Sequence, residues 1–310
     1  MSPLLWLLVF LISLVLLVKA SNWVLKGAKE VGSYLRLPPF VTGVILVGLG
    51  TSLPELASSL AAVGQGKGEI VAANIVGSNI ANILLVVGLA ALLSRHLLVK
   101  KGILSVDVPF LLGGTAVFLI MAANGSISLM EGAVLLLLAA AYLFYYLSQR
   151  EKKDFLEEEK KKLDIKNLSQ LVFGLGGLVL AAHYLILSLS QLAFSLKVPE
   201  SLIAVTALAV GTSLPELAVS IRAALAKQPA ISLGNIFGSN IFNLLLVGGL
   251  SATIRPLFLD SLMMKIGLPF LIAATLLFVF SCAFRKIYLW EGVVYLVLYL
   301  LFIGRVSQLL

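Results

Sequence analysis

The stretch Gly50-Thr51-Ser52-Leu53-Pro54-Glu55-Leu56-Ala57 recurs letter for letter as Gly211-Thr212-Ser213-Leu214-Pro215-Glu216-Leu217-Ala218. Each copy holds the single ionisable side chain of a long apolar run, which is Glu55 between 37 and 64 and Glu216 between 201 and 221. A carboxylate in the middle of a membrane-length helix is costly unless it has partners or faces water. Two carboxylates in identical settings therefore predict a functional site, and a structural kink is the alternative.

The proline before each glutamate interrupts the helix and frees backbone oxygens. Pro54 has no N–H and leaves the carbonyl of Gly50 without its helical partner, and Pro215 does the same to Gly211. In a helix, the two residues that lie three and four positions before a glutamate share its face. Hydroxyl oxygens are therefore expected beside both carboxylates. They come from Thr51, Ser52, Thr212 and Ser213. Ligand sets made only of oxygen suit sodium, calcium or magnesium rather than zinc or copper.

The composition is that of an integral membrane protein. Hydrophobic residues make up 60% of the 310 residues and charged residues 12%, and the mean hydropathy is +1.07. A membrane span needs roughly 20 apolar residues. The sequence predicts an all-α protein of ten transmembrane helices: Pro3–Val18, Pro39–Gly64, Ile70–Leu93, Val108–Ala123, Gly132–Ser148, Ser169–Ser195, Ser201–Ala226, Ile231–Ile254, Ile266–Ala283 and Ile287–Ile303.

Basic residues predict the orientation in the cell membrane. If the charged linker 151–166 is cytoplasmic, most of the lysines and arginines fall in loops on that same side, as the positive-inside rule requires. Both termini are then expected outside. The net charge of +8 follows from this bias and from attraction to anionic lipid, so it does not indicate nucleic-acid binding.

The two copies belong to a long internal repeat. The second lies 161 residues after the first, and the same offset pairs Asn74 with Asn235 and the segment 77–80 with 238–241. The chain is thus predicted as two halves, 1–150 and 167–310. Their duplicated regions are about 39–93 and 201–254. Five spans in each half require the second half to enter the membrane from the opposite face, which is the inverted-repeat architecture of many secondary transporters.

The second duplicated segment adds polar groups. Ser78 and Asn82 lie four residues apart, as do Ser239 and Asn243, so each pair lines one helix face. Asn82 and Asn243 are predicted as ligands. Asn79 and Asn240 are predicted to make hydrogen bonds between helices. Four glycines are predicted to permit close helix approach: Gly77, Gly88, Gly238 and Gly249.

The paired GTSLPE motifs, each followed by GSNIxN, resemble the two alpha-repeats of the sodium/calcium exchangers in the cation/calcium exchanger superfamily, particularly its prokaryotic members. The resemblance covers almost the whole chain. It implies four clustered ion sites with Glu55 and Glu216 as the central acidic ligands. It also implies hydroxyl, amide and carbonyl ligands from Thr51, Ser52, Thr212, Ser213, Ser78, Asn82, Ser239, Asn243, Gly48 and Ala209.

One position departs from many relatives. Asn243 stands where many prokaryotic and potassium-dependent members carry Asp, so this chain has an amide in both halves, at Asn82 and Asn243. The formal charge of the expected site is then −2, which one calcium ion would cancel. The departure argues for potassium independence.

The function that follows is an antiporter that exchanges Na⁺ for Ca²⁺ by alternating access at a midplane site. Two alternatives remain: an antiporter that exchanges H⁺ for Ca²⁺ or another divalent cation, and a passive cation channel. An enzyme is not expected, because His96 and His183 lie in no nucleophile pattern. No cofactor, nucleic acid or obligate protein partner is expected. The expected partners are the transported ions Ca²⁺ and Na⁺ and the lipid bilayer.

Overall fold

The computed structural model describes residues 3–99, 104–148, 165–195 and 213–307. These residues form ten helices of ten residues or more. Helical runs that are joined through a π-helical turn, or through the turn at Ser52, are counted as one helix. The helices are α1 Pro3–Tyr34, α2 Pro39–Gly64, α3 Gly68–Ser94, α4 Asp107–Ala122, α5 Leu129–Ser148, α6 Ile165–Ser195, α7 Leu214–Leu225, α8 Pro229–Ile254, α9 Met263–Ala283 and α10 Leu289–Val306.

Eight of the described helices are long and apolar enough to cross a membrane, and α4 is a shorter apolar helix. The predicted seventh span lies partly outside the described residues, as does almost all of the linker 151–166. The protein is therefore an all-helical membrane protein. Large apolar side chains on its outer surface fit a lipid environment, as shown by Phe144, which is 74% exposed, and Leu300, which is 68% exposed.

Helix α1 is much longer than the span predicted for it. It continues from Val18 to Tyr34, because the chain stays amphipathic beyond the apolar run. Ala20, Val24 and Ala28 are buried at helical spacing, whereas Lys26 on the same stretch is exposed. Sequence hydropathy detected only the uniformly apolar first half.

Helices α1 and α6 pack along each other through small residues. A Cβ built on Gly27 of α1 would lie 2.6 Å from the backbone nitrogen of Leu171, and one built on Gly174 of α6 would lie 2.9 Å from that of Val24. Their apolar contacts form a cluster with α7 that also includes Val47 of α2 and Ile231 of α8. The larger core cluster draws on α2 to α5 and α7 to α10. The α1 and α6 pair thus lies beside the main helix bundle.

Inside the main bundle, glycine contacts occur twice in matching places. Gly88 of α3 faces Gly292 of α10, where an added Cβ would be 3.1 Å from the glycine carbonyl oxygen. Gly249 of α8 faces Gly132 of α5 at 3.0 Å. The close approach predicted for Gly88 and Gly249 is confirmed. It is confirmed for Gly238 too, which lies against Val44.

Four short strands join the loops at the helix ends. Strand β1 (His96–Leu98), between α3 and α4, pairs antiparallel with β4 (Lys286–Tyr288), between α9 and α10. Strand β2 (Ser126–Ile127), between α4 and α5, pairs antiparallel with β3 (Leu257–Phe258), between α8 and α9. Each strand pair therefore links one loop from each half of the chain.

The contact between α2 and α8 leaves no room for a side chain at Gly234. A Cβ there would lie 2.3 Å from the carbonyl oxygen of Phe40 and 3.0 Å from Cα of Gly43. We expect Gly234→Ala to destabilise the protein by about 1–3 kcal/mol, because both clashing atoms belong to backbone. Thermal unfolding in detergent measures the effect. The control is Gly113→Ala at an exposed position of α4, where an added Cβ would have no atom within 4 Å. An equal loss of stability in both variants would contradict the prediction.

Candidate cation site

A helical segment begins shortly before each glutamate. At Ser52 the backbone of α2 turns to φ −84° and ψ 0°, and a new α-helical segment begins at Leu53 with Pro54 in its first turn. Ser213 has the same conformation, with φ −87° and ψ 4°, and α7 begins at Leu214 with Pro215 in its first turn. The predicted interruption by proline is confirmed in α2, and the residues before Ser213 lie outside the described ones. Both glutamates lie in the first turn of a helical segment, where the helix dipole favours a carboxylate.

The side chains predicted as ligands are buried wherever the structure describes them. Glu55 and Glu216 are each 1% exposed. The hydroxyl and amide residues on α2, α3, α7 and α8 are buried as well: Thr51, Ser52, Ser78, Asn82, Ser213, Ser239 and Asn243, as is the glycine Gly48. Ala209 and Thr212, the remaining two predicted ligands, lie outside the described residues.

Side chains from the two halves meet at Glu216. The Ser52 hydroxyl lies 3.3 Å from Oε1 of Glu216, and the Ser239 hydroxyl lies 3.4 Å from the same oxygen. Ser239 is also 3.3 Å from the carbonyl oxygen of Gly48. Residues of α2, α7 and α8 therefore converge on one point. Glu55 is near enough to Glu216 for the two carboxylates to repel each other when both are charged.

The prediction that the Ser52 hydroxyl lies beside Glu55, the glutamate of its own helix, is wrong. Its hydroxyl points to Glu216 of the other half instead. The backbone keeps helical hydrogen bonds on both sides of Ser52, so the packing of the two halves, and not helical spacing, brings its hydroxyl to Glu216. The sequence contained no direct signal of this exchange between halves.

Many polar atoms around this point are buried and have no hydrogen-bond partner. Both carboxylate oxygens of Glu55 lack one, as does Oε2 of Glu216. The side-chain oxygens and nitrogens of Asn82 and Asn243 and the hydroxyl of Ser213 are also without a partner. Buried polar groups are normally hydrogen-bonded, so such a group calls for a water, an ion or a catalytic role. Here every one of these residues was predicted as a ligand from sequence.

The two amides lie in π-helical turns that face the opposite half. Asn82 belongs to the turn Ala81–Val87 of α3, which packs against α7. Asn243 belongs to the turn Phe242–Val247 of α8, which packs against the second segment of α2. Single π-helical turns occur frequently at functional sites. The sequence did not predict them.

Asn79 and Asn240 have a more local role than predicted. The Asn79 amide nitrogen donates to the carbonyl oxygen of Ile75 at 2.8 Å, and that of Asn240 donates to Ile236 at 2.7 Å. Both bonds stay within one helix, so the prediction of bonds between helices is wrong. An amide four residues after a carbonyl reaches it without any help from a neighbouring helix.

Comparison with known proteins shows the family of this chain. The family model described as "Sodium/calcium exchanger protein" matches residues 5–148 and 166–307. The chain is 36% identical to the sodium/calcium exchanger MaX1 of Methanosarcina acetivorans, over 96% of this chain and 97% of that protein. The chain belongs to the sodium/calcium exchanger family.

Further relatives place this exchanger among prokaryotic members of the superfamily. It is 32% identical to a putative antiporter, CaxA, of Alkalimonas amylolytica, over 81% of each chain. Its structure is similar to that of the sodium-calcium exchanger NCX_Mj soaked with Na⁺ and Sr²⁺, with a TM-score of 0.85 and 29% identity over 98% of this chain and 99% of that chain. Its relatives are transporters, and this exchanger is not an enzyme.

A second layer of polar residues was missed by the sequence analysis. The Asn235 amide nitrogen lies 2.8 Å from Oγ of Ser220 and 3.2 Å from the carbonyl oxygen of Glu216. Asn74 stands at the equivalent position of the first half, and its amide lies 3.5 Å from Oγ of Ser59. A signal was available, because both the asparagine and the serine are duplicated at the same offset.

A third buried carboxylate lies apart from the two glutamates. Asp107, at the start of α4, is 2% exposed and accepts hydrogen bonds from the hydroxyls of Tyr142 and Tyr146 on α5. The predicted fourth span began at Val108 and so left Asp107 in a loop. The Tyr142 ring also packs edge-on against Phe242, next to Asn243.

We expect Tyr146→Phe to destabilise this exchanger by about 1–3 kcal/mol, because it removes a donor from a buried carboxylate. Thermal unfolding in detergent measures the loss. Tyr299→Phe serves as the control, since the Tyr299 side chain is also buried but its hydroxyl has no hydrogen-bond partner among the described residues. The role assigned to Tyr146 would be wrong if both variants unfolded at the same temperature.

Proposed function

We propose that this exchanger is a sodium/calcium antiporter whose ions bind between Glu55 and Glu216. Family membership establishes cation/Ca²⁺ exchange, and the site and the counter-ion are the proposal. The observation that carries it is the group of buried, unpartnered oxygens at the predicted ligand positions. Calcium takes six to eight oxygen ligands, commonly carboxylates, amide oxygens and backbone carbonyls.

The proposed ligand set comprises both glutamates and the hydroxyl, amide and carbonyl groups predicted from sequence. Beyond Glu55 and Glu216 its members are Thr51, Ser52, Thr212, Ser213, Ser78, Asn82, Ser239, Asn243, Gly48 and Ala209. Two carboxylates carry a formal charge of −2 at this site. One Ca²⁺ or two Na⁺ would cancel that charge. Among the described residues no group of three His, Cys, Asp or Glu could hold a transition metal.

Coupling follows from the cost of an empty site. Two charged carboxylates away from water and close to each other are unfavourable, so the cation-free protein resists the change of access that would move them. Calcium and sodium compete for the same oxygens and therefore cross in alternation. If three Na⁺ exchange for one Ca²⁺, one net charge crosses per cycle, worth about 2.3 kcal/mol per 100 mV.

We also propose ten transmembrane helices in two inverted five-helix repeats, 1–150 and 167–310, with 151–166 as a cytoplasmic linker. The strand pairs support this proposal. Strands β3 and β4 occupy the repeat positions of β1 and β2, and β1 pairs with β4 as β2 pairs with β3. The glycine contacts of α3 with α10 and of α8 with α5 show the same exchange. Such pairs are expected of two halves related by a pseudo-two-fold axis.

Access to the site would change by movement of α1 and α6 against the main bundle. These two helices pack along each other through small residues, and their contacts form a cluster distinct from the main core. A pair of helices held together in this way can slide as one body with little disturbance of the bundle. The site itself would stay fixed near the midplane.

The backbone supports the proposed orientation. Within the described ranges, four non-glycine residues have positive φ, and all four are basic: Arg36, Arg95, Lys227 and Arg285. Each follows the end of a helix that is proposed to end in the cytoplasm. The two glycines with positive φ, Gly66 and Gly125, lie on the opposite side. A basic residue is uncommon in this conformation, so its use only on one side indicates that positive charge is needed there.

Cysteine labelling tests the orientation. We expect Lys67→Cys to react with a membrane-impermeant maleimide in intact cells, and His96→Cys to react only after the membrane is opened. Both native side chains are exposed, and the native Cys282 is fully buried, so the new cysteine supplies the signal. The reverse pattern would mean that both termini face the cytoplasm.

Flux measurements in proteoliposomes test the function. We expect an imposed Na⁺ gradient to drive ⁴⁵Ca²⁺ uptake with the pH gradient clamped, and Glu55→Gln and Glu216→Gln each to abolish it, because a single carboxylate leaves divalent charge uncompensated. Ser94→Ala, on α3 but bonded only to backbone oxygens, serves as the control.

Three outcomes of this assay would contradict parts of the proposal. Near-normal flux in either glutamate variant would remove the proposed site. Calcium uptake that is driven by an imposed pH gradient and does not respond to the Na⁺ gradient would favour proton/calcium exchange. Uptake of labelled calcium without sodium counterflow, at rates far above those of a carrier, would favour a channel. The hydroxyls and carbonyl beside Glu216 favour sodium, because a proton needs no such set of oxygens.

A further inference from the structure

We propose that Asn235 is a positioning residue. It orients the Thr51 hydroxyl so that the oxygen can bind a cation, and it links this hydroxyl to the backbone of Glu216. This inference rests on the proposed ion site. Asn235 lies on α8 and is fully buried. It bridges the two halves of the chain, because its side chain contacts α2 on one side and α7 on the other.

The orientation of the Asn235 amide follows from its neighbours. Its nitrogen lies 3.2 Å from the carbonyl oxygen of Glu216 and 2.8 Å from Oγ of Ser220. A backbone carbonyl only accepts hydrogen bonds, so the nitrogen of the amide must face it. The amide oxygen Oδ1 is therefore directed to the remaining neighbour, which is the Thr51 hydroxyl at 3.1 Å.

A hydroxyl can bind a cation only through a lone pair, so its proton must be donated elsewhere. The Thr51 hydroxyl has three acceptors: Oδ1 of Asn235 at 3.1 Å, the Gly48 carbonyl oxygen at 3.4 Å and the Glu216 carboxylate. Among them only Asn235 is not a proposed ligand. The Gly48 carbonyl is itself a proposed ligand and also neighbours the Ser239 hydroxyl. Asn235 thus takes the proton of Thr51 and leaves the ligand oxygens free to face the ion.

The same amide restrains the backbone beside the acidic ligand. The Glu216 carbonyl that it binds belongs to the first turn of α7. A bond at this carbonyl limits how far the turn can rotate, and the Glu216 carboxylate rotates with it. One side chain therefore sets the position of a ligand in each half. Residues that orient metal ligands in this way typically change metal affinity by 10- to 100-fold when they are mutated.

Asn240 provides a matched comparison on the same helix. It is also an asparagine and fully buried, but its amide donates only to Ile236 of its own helix. Loss of either amide removes buried hydrogen bonds of similar kind. Only the loss of Asn235 removes the acceptor of Thr51 and the restraint on Glu216.

The experiment compares Asn235→Leu with Asn240→Leu in proteoliposomes and measures the apparent KM for Ca²⁺ separately from kcat. We expect Asn235→Leu to raise this KM by about 10- to 100-fold and Asn240→Leu to leave it within about twofold. In the Thr51→Val background, Asn235→Leu should raise the KM for Ca²⁺ by a much smaller factor, because the hydroxyl that Asn235 orients is already absent. A purely structural role would reduce the amount of active protein equally in both backgrounds and leave KM unchanged.

An unchanged KM in Asn235→Leu, or an equal rise with and without Thr51, would overturn the inference. If Asn235→Leu does not fold, Ser220→Ala decides, because it loosens the same amide by one hydrogen bond. We then expect a rise in KM of about threefold that disappears in Thr51→Val, and no rise would overturn the inference. Calorimetric titration of the purified protein with Ca²⁺ separates this outcome from failure of the proposed function, because it measures the site without any sodium-driven flux.

Discussion

Two carboxylates are buried together without enough hydrogen-bond donors to satisfy them, and the rest of the structure is arranged around this deficit. Glu216 has hydroxyl neighbours, among them Ser52 and Ser239, whereas neither oxygen of Glu55 has a partner among the described residues. A protein core does not tolerate such a deficit for stability alone. It is consistent with a site whose missing partners are cargo.

The surrounding helices place oxygen atoms near these carboxylates, and their backbone hydrogen bonding is irregular where they do so. Helix α2 is interrupted beside Pro54, and π-helical turns contain both Asn82 and Asn243. Glycines at Gly43 and Gly234 let α2 and α8 approach until backbone touches backbone. Close packing outside the site thus compensates for irregular backbone within it, which is tolerated in a membrane only where protein or a polar cavity surrounds it.

The two halves are not independent domains that each hold an ion. Ser52 of the first half reaches the carboxylate of the second, and the strand pairs and glycine contacts likewise join elements from opposite halves. Because both halves supply the proposed ligands, the proposed site depends on the two halves keeping their positions. In the proposal, access therefore changes through α1 and α6, which hold none of these ligands.

The sequence alone determined the duplicated acidic motif, the membrane character and the residue types of the candidate ligands, because these depend on local chemistry. A lone Glu in an apolar run, a neighbouring Pro and repeated Ser and Asn can all be recognised without coordinates. The tertiary structure alone decided which half serves which carboxylate, the π-helical turns, and the second layer around Asn235. It also decided that Asp107 accepts hydrogen bonds from two tyrosines. These features arise from contacts between residues more than a hundred positions apart, or from helix packing, and helical periodicity relates only near neighbours on one helix.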